Sequence, residues 1–138
     1  MCGIAGYFDI NLDQRDLIQR TNVMSKELDH RGPDSHGEWS DQNLSISIAH
    51  RRLSILDLTE TGHQPMISSS GRYIISYNGE IYNHKKLRAI ISQDNNFNFK
   101  GTSDTETILE VIERYGVEKT LTLLSGMFAF CVIDLKER

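Results

Sequence analysis

Apolar positions along this chain switch between a period of two and a period near three and a half. Residues 3–8 (GIAGYF) read as a short buried strand. The spacing then lengthens. Leu17, Thr21, Met24 and Leu28 fall on one helical face, and Gly32 and Pro33 mark the end of that helix. LSISIAH sets Leu44, Ile46 and Ile48 against Ser45, Ser47 and Ala49, the alternation of a strand, and RLSILDL continues as a second extended piece. RYIISYNGEIYN reads as two strand halves on either side of Asn78-Gly79, a dipeptide preferred in tight hairpin turns. HKKLRAIISQ predicts a short helix capped by Asn83, and FNFKG alternates again. Ser103 and Glu106 have capping-box spacing ahead of Ile108, Leu109, Val111, Ile112 and Tyr115, with Gly116 as the stop. VEKTLTLLSG predicts a weaker helix and MFAFCVIDL a buried strand. Mixed strands and helices with hairpin logic in the middle indicate an α+β class with largely antiparallel sheets.

Composition narrows the picture. The 138 residues are 38% hydrophobic, which suits one domain with a core and leaves little room for two. The formal net charge is −4, without the basic excess that nucleic-acid binding brings. Residues 127–133, the longest apolar run, are too short to cross a bilayer, and the N-terminus lacks the pattern of a signal peptide. Two cysteines, Cys2 and Cys131, are too few for a disulfide framework, and Cys131 reads as core. The expected setting is reducing and cytoplasmic, with neither nucleic acid nor membrane as a partner. His36, His50, His63 and His84 are scattered without metal-ligand spacing, and the glycines form no phosphate loop with a lysine. No metal and no cofactor are expected in this chain.

Cys2 is the position where chemistry enters. A thiol attacks as its thiolate, and a free cysteine has a pKa near ~8.5, so it needs a base. If Met1 is cleaved, Cys2 carries its own α-amino group, with a pKa near ~7.7–8.0, suited to accept the thiol proton at neutral pH. A terminal position is then a requirement of the mechanism. The competing reading is a small buried hydrophobe that happens to fall early.

Six ordered blocks decide between them: CGIAGYFD, HRGPD (His30 to Asp34), AHRRLSILDL, YNGEIYNH, GTSDTE and LSGMFAF. Together they resemble the glutamine amidotransferase domain of asparagine synthetases, the class with an N-terminal cysteine nucleophile. The resemblance covers essentially the whole chain. It implies the N-terminal-nucleophile hydrolase fold, an αββα sandwich of two antiparallel sheets between helical layers. In that family further strands follow the block FAFCVIDL, so residues 1–138 are expected to be the N-terminal part of such a domain, incomplete at this length, with no synthetase domain.

The resemblance also assigns roles. Cys2 is the nucleophile. Arg52 clamps the glutamine carboxylate, because a guanidinium fork fixes orientation as well as charge. Leu53, Ser54, Ile55 and Leu56 line the same pocket through backbone. Arg51, the neighbour, points the other way in an extended chain. Asp104 partners the substrate ammonium, a role compatible with its favourable place in the first turn of a helix. Glu80 belongs to the same binding set. The Asn78 side chain and the Gly79 backbone N–H stabilise the oxyanion, although Asn-Gly is also an ordinary turn. His30 and Arg31 organise the chain beside the nucleophile.

The implied activity is hydrolysis of L-glutamine to glutamate and ammonia through a Cys2 thioester. The implied partner is a synthetase domain or subunit that accepts the ammonia; ATP and magnesium belong to that domain only. The rival expectation is a non-catalytic remnant or a binding module, and a third keeps the glutaminase but changes the acceptor. An apolar edge at MFAFCVIDL would favour pairing of two copies, so a homodimer is one expected state.

Overall fold

A computed structural model describes residues 1–54, 57, 59–93 and 97–137. Two three-stranded antiparallel sheets lie at its centre. In the first, β1 (Gly3–Phe8), β2 (Ser35–Asp41) and β3 (Ile46–Arg52) are ordered β1-β3-β2. In the second, β5 (Tyr73–Ile81) runs between β4 (Met66–Ile67) and β6 (Gly126–Asp134). Helix α1 (Gln14–Lys26) packs on the first sheet, and α2 (His84–Ile91) with α3 (Asp104–Leu123) covers the second. β1 and β3 meet β5 across the middle. The layers are helix, sheet, sheet, helix, as expected of the αββα sandwich. No helix among the described residues is long and apolar enough to cross a membrane.

The core follows from strand alternation. Odd residues of β5, namely Tyr73, Ile75, Tyr77 and Ile81, face α2 and α3, where they meet Leu87, Ile91, Ile108, Leu109, Val111 and Ile112. Burying each aliphatic side chain of this kind stabilises by about 1.5–3 kcal/mol. Even residues face the first sheet. There Ser76 Oγ lies 2.9 Å from His50 Nδ1, both side chains fully buried.

Several local expectations give way to tertiary packing. α1 starts where Asp13 accepts the Asp16 N–H at 2.9 Å, but it ends at Lys26, before Gly32 and Pro33. Its buried face is Leu17, Thr21 and Ser25, and Met24 is exposed. Small polar residues let the helix sit close to β3: Thr21 donates to the Ser47 carbonyl, and Ser25 Oγ accepts from Arg51 Nε at 2.9 Å. Residues 35–41, too polar to read as a strand, form β2 along β3.

The expected hairpin at Asn78-Gly79 is overturned. β5 runs unbroken through both residues, paired along its length with β6, so that Asn78 sits opposite Ala129 and Gly79 opposite Phe128. Close approach of the two backbones demands the glycine. A Cβ at Gly79 would lie 2.6 Å from Phe128 Cα, and its φ of 158° disfavours other residues.

FNFKG is not a strand; Phe97 and Phe99 stack edge to face, 4.9 Å between centroids, against the core. Asn83 precedes α2 as expected, but its side chain caps nothing there. It donates to the Leu123 carbonyl and accepts from the Ser125 N–H, tying the end of α3 to β6. Ser103 caps α3 by accepting the Glu106 N–H at 3.2 Å. The Glu106 carboxylate turns instead to the amides of Lys100 and Gly101. Gly116, with φ 76°, breaks α3 where the stop was expected, and a second segment continues to Leu123. β1 and β6, expected to be buried, are part-exposed edge strands among the described residues, with Phe8 66% exposed. Met127 is 73% exposed, and among the described residues β6 pairs with β5 alone. Cys131 on β6 is only part-buried, and burial raises its thiol pKa.

Candidate active site

One cleft of about 290 Å³ opens where the start of β1, the end of β3, the second half of β5 and the start of α3 converge. Cys2, Arg52, Leu53, Asn78, Gly79 and Asp104 line it, with Glu80 at its exposed side. Met1, Tyr82 and Met127 form its exposed apolar mouth. Seven of the residues assigned from the sequence therefore share one space, although they lie on four separate elements.

Strand register places Cys2. Gly3 pairs with Arg51, which sets Cys2 beside the end of β3. Its Sγ accepts the Leu53 N–H at 3.4 Å and lies 3.6 Å from the Leu53 carbonyl oxygen, to which the thiol donates. Alternation then separates the two arginines as the sequence predicts. Arg51 turns to α1, bonding Ser25 and pairing with Asp29 at 2.8 Å. Arg52 turns into the cleft, 8% exposed, and its Nη2 donates to the Asp57 carbonyl.

The segment after Arg52 is held from both sides. Asp34 donates its N–H to the Arg52 carbonyl at 3.0 Å and accepts the Ser54 N–H on its carboxylate at 2.7 Å. Within HRGPD the anchoring contact is thus Asp34, and His30 is exposed. Ser54 makes this bond and is not among the lining residues of the cleft, while Leu53 is. Ile55 and Leu56 lie outside the described residues. Further on, Asp57 carries φ 55° and bonds Thr59, Thr61 and the Thr102 N–H, joining this segment to the loop before α3. Burial opposes ionisation of Asp57, but those hydrogen bonds outweigh it and hold the carboxyl well below the usual carboxylate range.

β5 supplies backbone donors by parity. In an antiparallel pair, alternate residues exchange hydrogen bonds with the partner and the others point their N–H groups away. Arg72 and Tyr82 bond β6 neighbours at Leu135 and Ser125, so the even residues serve β6. The amides of Tyr77, Gly79 and Ile81 therefore face the opposite edge, where β4 has already ended. Gln64 Oε1 takes the Tyr77 N–H at 2.6 Å, and Asp104 Oδ2 takes the Ile81 N–H at 3.1 Å. Gly79 lies between them and lines the cleft with Asn78, and by the same parity its N–H points away from β6.

Asp104 opens α3 with its carboxylate in the cleft, 5% exposed. Its Oδ2 also accepts the Tyr77 hydroxyl at 2.8 Å. Burial first, then the neighbouring Asp104 charge, push the Tyr77 phenol far above its ordinary range, so it remains a donor. Gln64 completes the frame: its Nε2 donates to Thr105 Oγ1 at 3.2 Å. Gln64, Tyr77 and Thr105 were not legible as site residues in the sequence. Tyr77 precedes Asn78 in the same block, which was the available signal; Gln64 and Thr105 meet it only through the fold.

His50 lies behind the cleft, on the same face of β3 as Arg52. Burial, Arg52 and His63 together lower its pKa from 6.5 to about 4, which keeps the ring neutral at physiological pH. His50 Nε2 has no hydrogen-bond partner among the described residues.

This arrangement sets a guanidinium that can hold a carboxylate and a carboxylate that can hold a cation around the same space as the Cys2 thiol. Comparison with known proteins fits that reading. The sequence pattern of the glutamine amidotransferase domain matches residues 1–138. Asparagine synthetase B [glutamine-hydrolyzing] of Escherichia coli (strain K12) is 40% identical over 134 residues, 97% of this chain and 23% of that enzyme. The protein named amidase chry2 of Gibberella zeae is 31% identical over 143 residues, 97% of this chain and 21% of that protein. The chain thus spans less than a quarter of the length of either relative. Among solved structures, the glutamine phosphoribosylpyrophosphate amidotransferase of Bacillus subtilis has the same fold, with a TM-score of 0.73 at 18% identity. That match covers 97% of this chain and 35% of that one. The chain belongs to the glutamine amidotransferase domain family.

Proposed function

We propose that this chain hydrolyses L-glutamine to glutamate and ammonia, and that the ammonia is used in an ATP-dependent amidation of an acid such as aspartate by a synthetase domain or subunit. The observation that carries the reading is the convergence of the Cys2 thiol, the Arg52 guanidinium, the Asp104 carboxylate and the Asn78-Gly79 pair on one cleft. Arg52 takes the substrate carboxylate, Asp104 the α-ammonium, and Glu80 adds negative charge at the exposed side. Leu53 lines the bound chain of the substrate. Cys2 Sγ attacks the side-chain amide carbon, passing its proton to the α-amine that removal of Met1 leaves on Cys2. Asn78 and the Gly79 N–H hold the resulting oxyanion; each such donor typically contributes ~2.7–4 kcal/mol in the transition state. Cleavage of the carbon–nitrogen bond, with the proton returned to the leaving nitrogen, releases ammonia and leaves a thioester. Water then attacks the thioester carbon, giving glutamate and the free thiol. No step draws on a metal or cofactor held by this chain. A reducing, cytoplasmic setting keeps Cys2 as a thiol. A second reading of the acceptor rests on the Gibberella zeae relative named an amidase: the same glutaminase would serve an acid other than aspartate.

The test is ammonia release from L-glutamine by the native full chain, with intact mass measured on the same sample. Turnover is expected only where Met1 is absent, and Cys2→Ser is expected to lose most of it, since a hydroxyl is far harder to deprotonate. Full turnover in a sample that retains Met1 excludes the α-amine as base.

A further inference from the structure

The Asp104 carboxylate has two oxygens with different surroundings. Oδ2 accepts two hydrogen bonds, from the Tyr77 hydroxyl at 2.8 Å and from the Ile81 N–H at 3.1 Å. No hydrogen bond to Oδ1 is made among the described residues, and Asp104 lines the cleft. Both donors to Oδ2 come from β5, the strand that also carries Asn78 and Gly79.

Tyr77 is itself fixed at both ends. Its N–H donates to Gln64 Oε1 at 2.6 Å, the ring is 3% exposed within the core, and the hydroxyl meets Asp104. Gln64 in turn holds Thr105, the residue after Asp104. A phenol on a rigid strand, buried and kept protonated, has no freedom to leave its acceptor. A carboxylate with one oxygen held this way cannot rotate, so the other oxygen has one direction.

We propose that Tyr77 is a positioning residue that fixes Asp104 so that Oδ1 meets the α-ammonium of the substrate, and that Tyr77 thereby sets the preference for amides of α-amino acids over amides that lack the amino group. This rests on the glutaminase reading above. Tyr77 touches Asp104 and not the reacting atoms; its effect falls on recognition of one substrate group, and the chemical step is left as it is.

The native full chain is assayed with L-glutamine and with glutaramate, the same γ-amide without the α-amino group. Tyr77→Phe removes only the hydroxyl. It is expected to raise KM for L-glutamine about tenfold, the scale of one hydrogen bond to a charged group, and to leave kcat within twofold. For glutaramate, kcat/KM is expected to stay within twofold, so the ratio between the substrates falls. In an Asp104→Asn background the same substitution is expected to add less than twofold, because the two residues act as one unit. Site-specific replacement of Tyr77 by 3-fluorotyrosine keeps size and fold while strengthening the donor, and it is expected to change the ratio while leaving kcat for glutaramate unchanged. Equal losses on both substrates with Tyr77→Phe overturn the assignment, as does an unmoved ratio in both the Phe and fluorotyrosine forms. Absence of L-glutamine turnover in the native chain defeats the glutaminase reading itself, and the inference with it. Normal turnover with an unmoved ratio defeats the Tyr77 assignment alone.

Discussion

Acidification isolates the energetic cost of the buried ring between the sheets. His50 is fully buried, and its pKa falls from 6.5 to about 4 on folding, through burial first and then the charges of Arg52 and His63. The unfolded chain therefore binds a proton at about pH 6.5 that the folded chain refuses until about pH 4. Above pH 6.5 the contribution of the neutral ring is fully present. As pH falls, each unit in this window lowers stability by ~1.4 kcal/mol, and by about pH 4 roughly 3 kcal/mol is gone. Against a typical total of ~5–15 kcal/mol this is a large fraction. Other groups titrate nearby. Burial raises the Glu110 carboxyl, which acts in the opposite sense and adds stability as pH falls. Asp57 and Asp134 are held low, so their losses come below pH 4. A difference measurement removes all three. Urea unfolding of the native sequence and of His50→Gln is compared from pH 7.5 to pH 4.5. The glutamine amide keeps a partner for Ser76 and does not titrate. The stability gap between the two is expected to shrink or reverse steadily below pH 6.5, by about 2.5 kcal/mol over the range at the slope above. A gap that stays flat from pH 7.5 to pH 4.5 would refute the buried neutral histidine.

Three further outcomes follow from the geometry. Arg52→Lys should raise KM for L-glutamine by about tenfold or more, since a point charge cannot reproduce the fork; equal affinity in a binding titration removes Arg52 as the carboxylate clamp. Asn78→Ala should lower kcat by about 10²–10³ with little change in KM, and unchanged turnover would leave Asn78 with only its place in β5. Ala129→Lys, at an exposed position of β6, which among the described residues pairs with β5 alone, should reduce self-association of the 138-residue chain in sedimentation, because a lysine on an edge opposes strand addition; association that is unmoved by the charge places the contact elsewhere.

Strand alternation made part of the site legible in advance. The opposite orientations of Arg51 and Arg52 needed only the geometry of extended chain, and Ser103 announced the start of α3 and with it the place of Asp104. Other features depended on partners remote in sequence. Asn78-Gly79 has the composition of a turn, but 9 residues of β5 pair in unbroken register with β6, and the summed ladder outweighs the preference of a dipeptide. Met24 has the right spacing for the buried face of α1, yet the helix is rolled so that Ser25 reaches Arg51 instead. β2 has no strand alternation because every residue of it but Gly37 and Trp39 is polar, and it is recruited by β3. Gln64 stands 13 residues from Tyr77 and 41 from Thr105, so no local pattern connects them.

The register of β1 against β3 has a thermodynamic consequence of its own. Among the described residues β1 is a sheet edge that starts immediately after Cys2, and strands in that situation open at lower free energy than the core does. A slip of two residues along β3 carries Cys2 about 7 Å away from Arg52, so the thiol and the guanidinium line the same cleft only while the first strand is seated. Any molecule that grips both therefore adds its binding free energy to the closing of that strand. Amide exchange in residues 3–8 should consequently respond to ligand more than that of α3, and β1 then acts as a latch that a ligand bridging Cys2 and Arg52 fastens.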